Sequence, residues 1–159
     1  MNVNFINPVL RSMLNVLSTM AHIAPQVGVP KVKEKNAIVL GKNIRGIMSM
    51  TGRRGNASIA ITFSETAIVH IANKMLPSEI TSIDGNVIDL VGELANMVLG
   101  GAKSELENGG YFFSLSLPTI ILGNDYLIAH KTNAPILVLP FSMPEGQFIV
   151  EAGYEEVEG

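Results

Sequence analysis

The longest helical pattern in the chain runs from about Asn86 to Asn108, and it constrains everything that must pack around it. At about 100° per residue, Val91, Ala95, Val98 and Ala102 fall in one narrow stripe, flanked by Val87, Ile88 and Leu94. A helix with one apolar stripe has to bury it against another element. Asp89, Glu93, Asn96 and Gly100 fall on the opposite side, within an arc of about 60°. That polar face is sparse: two carboxylates, one amide, then Gly100-Gly101. Acids four residues apart repel slightly, Asn costs roughly half a kcal/mol against Ala, and each Gly costs about 1 kcal/mol. The segment is not optimised for helix stability. The glycines fit a helix that another backbone approaches closely.

The periodicity predicts a second amphipathic helix over residues 8 to 23, with Leu10, Met13, Leu14, Leu17 and Met20 on one side. Asn7 is its expected cap and Pro8 its first residue. Its polar side reads Arg11, Ser12, Asn15, Ser18 and Thr19. Residues 25 to 35, PQVGVPKVKEK, read as a loop. NAIVLGKNIRGIMSM reads as extended chain with a break at Gly41, and the turn TGRRGN joins it to ASIAITF as a hairpin. A short helix is expected from a Ser64 cap to Pro77. Beyond Gly109-Gly110, the segments FFSLSLPTIILG, DYLIAHK, APILVLPF and QFIVEAGY read as extended, and the acidic tail EEVEG as frayed. Helices segregated from runs of strands predict one α+β domain over residues 1–159, with helices packed on a largely antiparallel β-sheet. The order of elements hints at two related halves.

Several function classes fall away. The chain has no cysteine, hence no disulfide, thiolate ligand or thiol nucleophile. Its net charge is −3 and its Lys and Arg are scattered, which does not suit nucleic acid. No segment reaches about 18 uninterrupted apolar residues, so no membrane span is expected. The apolar N-terminal region has no basic leader and is interrupted by Arg11, so it reads as part of a soluble, cytoplasmic protein rather than a signal peptide. His22, His70 and His130 sit on three separate elements without an HExxH pair, so no metal site is expected. There is no GxSxG elbow, and TGRRGN lacks the phosphate-loop pattern. As a hairpin turn it leaves Arg53 and Arg54 available to an acidic partner surface. Only 16% of residues are charged, below the usual quarter or so, which points to an interface on part of the surface. On these residues alone, the polar trio is compatible with a merely solvated helix face.

Asp89-x3-Glu93-x2-Asn96 resembles the Asp/Ser-x3-Glu-x2-Asn helix signature of the CheC/CheX/FliY phosphatases, which act on the phosphorylated response regulator CheY. INPVLRSMLNVLSTM resembles the first helix of the CheX branch, and the order of elements is similar along nearly the whole chain, including TGRRGN and FSLSLPTIILG. The first helix carries no E-x2-N, so a single site per chain resembles CheX rather than CheC. The resemblance implies a CheC-like fold and hydrolysis of an aspartyl phosphate on a CheY-like receiver domain. It implies that Asn96 orients the attacking water, that Glu93 pairs with the partner's active-site lysine, and that Asp89 and Gly100 touch the partner. It further implies Mg²⁺ held in the partner receiver rather than in this chain, and a homodimer. The same fold serves non-catalytic binding and assembly modules, which is the alternative reading.

Overall fold

The computed structural model describes residues 3–33, 40–123 and 134–157. In chain order these form α1 (Val3–Ala21), β1 (Gln26–Val27), β2 (Lys31–Val32), β3 (Asn43–Gly52), β4 (Gly55–Ser64), α2 (Glu65–Met75), α3 (Gly85–Asn108), β5 (Phe113–Leu115), β6 (Thr119–Leu122), β7 (Leu137–Met143) and β8 (Gly146–Glu156). The strands make one antiparallel sheet in the order β1-β7-β8-β4-β3-β5, with β2 also on β7 and β6 also on β3. The architecture is α+β, as the segregation of helical and extended patterns predicts.

Two long hairpins build the centre. Gly52 and Gly55 close the first around Arg53-Arg54, in register from Thr51 opposite Asn56 to Asn43 opposite Ser64. Gly41 has φ +65°, a value L side chains rarely adopt, and the strand begins just after it. The second hairpin joins β7 to β8, and β4 and β8 meet along the middle of the sheet. A repeat emerges from the order. After α1 comes an edge strand broken in two (β1, β2), then a hairpin; after α3 comes another broken edge strand (β5, β6), then a hairpin. Each broken strand pairs with the hairpin of the other half.

All three helices bury apolar residues with the alternate strand residues in one core. Phe5, Met13 and Leu17 of α1, Ile68 and Ile71 of α2, and Leu94 and Val98 of α3 meet Met48, Ile61, Phe63, Phe148 and Val150. Phe141 stacks on Phe148 at 4.6 Å between ring centroids, and Phe5 on Tyr154 at 5.3 Å. On the opposite face of the sheet Glu151 is buried, 2.7 Å from Lys33 Nζ and 3.3 Å from Arg45 Nη2. A buried carboxylate is tolerable there because two cations neutralise it.

Three local expectations are corrected. α1 starts at Val3, so Asn7 is not its cap and Pro8 lies inside the helix. Proline removes a backbone donor and disfavours helix before it, but extending α1 buries Phe5 and Ile6 at 3% exposure each. Residues 25 to 35 are not only loop, since β1 and β2 add to the edge of β7. Each has only two residues, both exposed, too few for a pattern. Ser12 does not belong to the polar side of α1: it is buried against α3. The α2 cap is as expected, with Ser64 accepting from the Ala67 amide. Lys42 hydrogen-bonds Glu65 at the start of α2, and with the Ile83 amide holds that carboxyl below its ordinary range. The segment DYLIAHK and His130 lie outside the described residues, as does the end of the acidic tail. No helix of the described chain is long and apolar enough to cross a membrane.

Candidate functional site

α3 runs for 24 residues, one more at its start than the sequence pattern suggests, because the Asp84 carboxylate accepts from the Val87 amide and caps it. Val87, Leu90, Val91, Leu94, Ala95, Val98, Leu99, Ala102 and Leu106 are buried. That leaves Asp89, Glu93 and Asn96 exposed in one row, with Gly100 half-buried beyond them. The helix brings all four together, as i, i+4, i+7 and i+11 spacing requires.

Several acids elsewhere in the protein have partners. Glu65, Glu107 and Glu151 each lie within 3.4 Å of a cation, and Glu105 pairs with Arg11. Among the described residues, no side-chain hydrogen bond or ion pair engages Asp89, Glu93 or Asn96. Two carboxylates four residues apart with no cation between them make a locally negative strip. An amide beside them offers a carbonyl acceptor and two N–H donors in fixed orientation. This arrangement can receive a cation and orient a water; it holds no nucleophile.

The two glycines have different surroundings. A Cβ on Gly101 would lie 2.4 Å from Ser12 Oγ, which donates a 2.6 Å hydrogen bond to the Val98 carbonyl. Gly101 is therefore what lets α1 approach α3 closely. A Cβ on Gly100 would meet nothing within 4 Å. The sequence pattern groups them; the structure separates an internal contact at Gly101 from open space at Gly100, on the trio's side of the helix.

The trio is flanked on both sides. On one side α1 packs along α3, joined by the Arg11–Glu105 pair. On the other, the chain reverses at Gly109-Gly110 and returns beside α3 as β5 and β6, where Pro118 Cγ lies 3.8 Å from the position of a Cβ on Gly92. Elsewhere, Arg54 folds over the Tyr111 ring at 4.3 Å, while Arg53 stays exposed. His70 lies 3.6 Å from Glu145, and His22 follows the end of α1 with φ +55°. Among the described residues there is no group of three His, Cys, Asp or Glu able to hold a metal ion.

The family model described as "Chemotaxis phosphatase CheX" matches residues 44–142. The crystal structure of a CheC-like superfamily protein from Shewanella sp. PV-4 is 45% identical, covers 98% of this chain and 99% of its own, and superposes with a TM-score of 0.88. The chemotaxis protein CheX of Vibrio vulnificus is 33% identical over 96% of this chain and 100% of its own, with a TM-score of 0.87. The CheY-P phosphatase CheX of Thermotoga maritima is 27% identical over 143 residues, 90% of each chain.

Proposed function

The chain belongs to the CheX family of chemotaxis phosphatases, and on that premise we propose that it hydrolyses the aspartyl phosphate of a CheY-like receiver domain. The observation that carries this reading is the exposed row of Asp89, Glu93 and Asn96 on α3, unengaged by any described side chain. The name of the Thermotoga maritima relative, a CheY-P phosphatase, supports the substrate class.

The reaction breaks the P–O bond of the acyl phosphate. A water oxygen bonds to phosphorus, the receiver's carboxylate leaves, and the water's proton passes to an oxygen of the released phosphate. The receiver supplies Mg²⁺ and a lysine to neutralise charge, so this chain needs to supply position. Phosphoryl transfer passes through a loose transition state, in which placing the water in line is most of the catalysis. The Asn96 carbonyl accepts a hydrogen bond from that water, fixing its lone pair toward phosphorus, and its N–H₂ donates away. Glu93, one turn earlier, forms a charge-assisted bond with the receiver's lysine and sets the register. A carboxylate this close to a phosphoryl group would repel it without that lysine. Asp89 contacts the receiver at the rim, and the open space at Gly100 admits its backbone.

We place this chemistry in the cytoplasm and in a homodimer. The dimer is motivated by the low charged fraction and by the exposed Val29 and Val32 beside the short β1–β2 edge. Mass measurement in solution at micromolar protein decides it: a monomer at every concentration up to crystallisation levels excludes the dimer. The activity is tested by incubating the protein with a phosphorylated CheY-type receiver and following phosphate release. Acceleration over the receiver's own decay is expected. Binding without acceleration would make the protein a docking module instead.

A further inference from the structure

The trio alone offers a small surface. A specific protein interface covers roughly 800 Å² on each partner, more than three side chains on one helix face can cover. A receiver that brings its phosphoryl group to Asn96 must therefore also rest on one of the flanks of α3. The α1 flank presents Arg11, Asn15 and Ser18, all polar and exposed. The other flank presents Leu117, 88% exposed, the highest exposure among the large apolar side chains described.

Leu117 is also held firmly. The Ser116 amide donates to the Ser49 carbonyl at 2.9 Å, and Ser116 Oγ accepts from the Ser49 amide at 2.9 Å. Pro118 follows, with its own φ fixed and with the backbone of Leu117 biased to extended conformations. Pro118 in turn abuts α3 at Gly92, the residue before Glu93. The bulge between β5 and β6 thus carries one exposed apolar side chain on an anchored backbone, next in sequence to the proline that meets α3 at Gly92. An anchored apolar contact loses little freedom on binding, which is what makes such residues dominate interface energies.

We propose that Leu117 is a docking residue for the receiver domain: it fills an apolar recess on the receiver surface and so aligns the phosphoryl group with Asn96. The inference rests on the phosphatase reading above. Because Leu117 touches no reacting atom, its contribution is uniform binding, present in ground and transition states alike.

The test compares the parent protein with Leu117→Ser and Leu117→Met on two readouts. One is KM and kcat with a phosphorylated CheY-type receiver; the other is affinity for the same receiver loaded with beryllium fluoride and Mg²⁺, which mimics the acyl phosphate. Leu117→Ser should raise KM and weaken binding by about tenfold or more, with kcat within about twofold, and Leu117→Met should behave like the parent. Unchanged KM and affinity in Leu117→Ser would overturn the proposal while leaving the phosphatase reading intact. So would a change of oligomeric mass in Leu117→Ser, which would assign the side chain to contact between copies. A parent protein that binds the loaded receiver through Leu117 without hydrolysing the phosphate would support the docking role and sink the catalytic one.

Discussion

α1 and α3 lie side by side over one face of the sheet, and each is followed by a broken edge strand and a hairpin. Yet only α3 carries an exposed Asp89-Glu93-Asn96 row; the exposed side of α1 offers Arg11, Asn15, Ser18 and Thr19. The scaffold therefore provides two similar places, and a few outward side chains make one of them the candidate site. Burial cannot distinguish the two, since both helices bury one stripe and solvate the other. What distinguishes them is chemistry left unengaged: the one cation of α1's exposed face, Arg11, is already paired with Glu105, whereas no cation among the described residues pairs with Glu93.

The largest test of this contrast is Asn96→Ala. Turnover on a phosphorylated receiver should fall about a hundredfold or more, near 3 kcal/mol, with receiver binding close to the parent's. Parental turnover would remove the water-orienting role altogether. Glu93→Ala should differ in kind, weakening binding as well as slowing turnover, and Glu93→Gln should reproduce much of the loss because the charge is what pairs with lysine. Circular dichroism on each variant excludes unfolding as the cause.

The seam between the two helices gives the next effect. Gly101→Ala pushes a methyl into Ser12, and should destabilise the fold by about 1–2 kcal/mol in denaturant titration despite the gain in helix propensity. Gly100→Ala, in open space, should instead stabilise by up to about 1 kcal/mol. If both alanines stabilise, the close approach of α1 and α3 at Ser12 is not real. Asp89→Ser should lower turnover by no more than about tenfold, or roughly 1.4 kcal/mol, since the contact proposed for it is at the rim. A loss matching Asn96→Ala would make Asp89 catalytic. Smallest of all, Asn15→Ala and Ser18→Ala on α1 should shift activity and stability by less than about 0.5 kcal/mol. A large loss of turnover there would mean that the two helices share the function after all.

Periodicity and turn chemistry by themselves determine a good deal of this fold. The apolar stripe from Val87 to Ala102, the Ser64 cap, the turn at Arg53-Arg54 and the break at Gly41 follow from local rules, and the structure contains each of them. The outward row of Asp89, Glu93 and Asn96 was legible for the same reason: helical spacing alone puts those residues on one face. Tertiary structure decided whatever depends on what a residue meets. Pro8 sits inside α1 because Phe5 and Ile6 reach the core, a gain no local rule contains. β1 and β2 exist only because β7 offers an edge. Ser12 reads as a surface serine until α3 covers it, and Gly100 and Gly101, alike in sequence, separate only when α1 arrives beside one of them. Leu117 reads as one more strand residue until the bulge at Ser116 turns it to solvent. The dividing line is physical: periodicity assigns a side chain to a face of its own element, but packing between elements distant in sequence decides what that face meets.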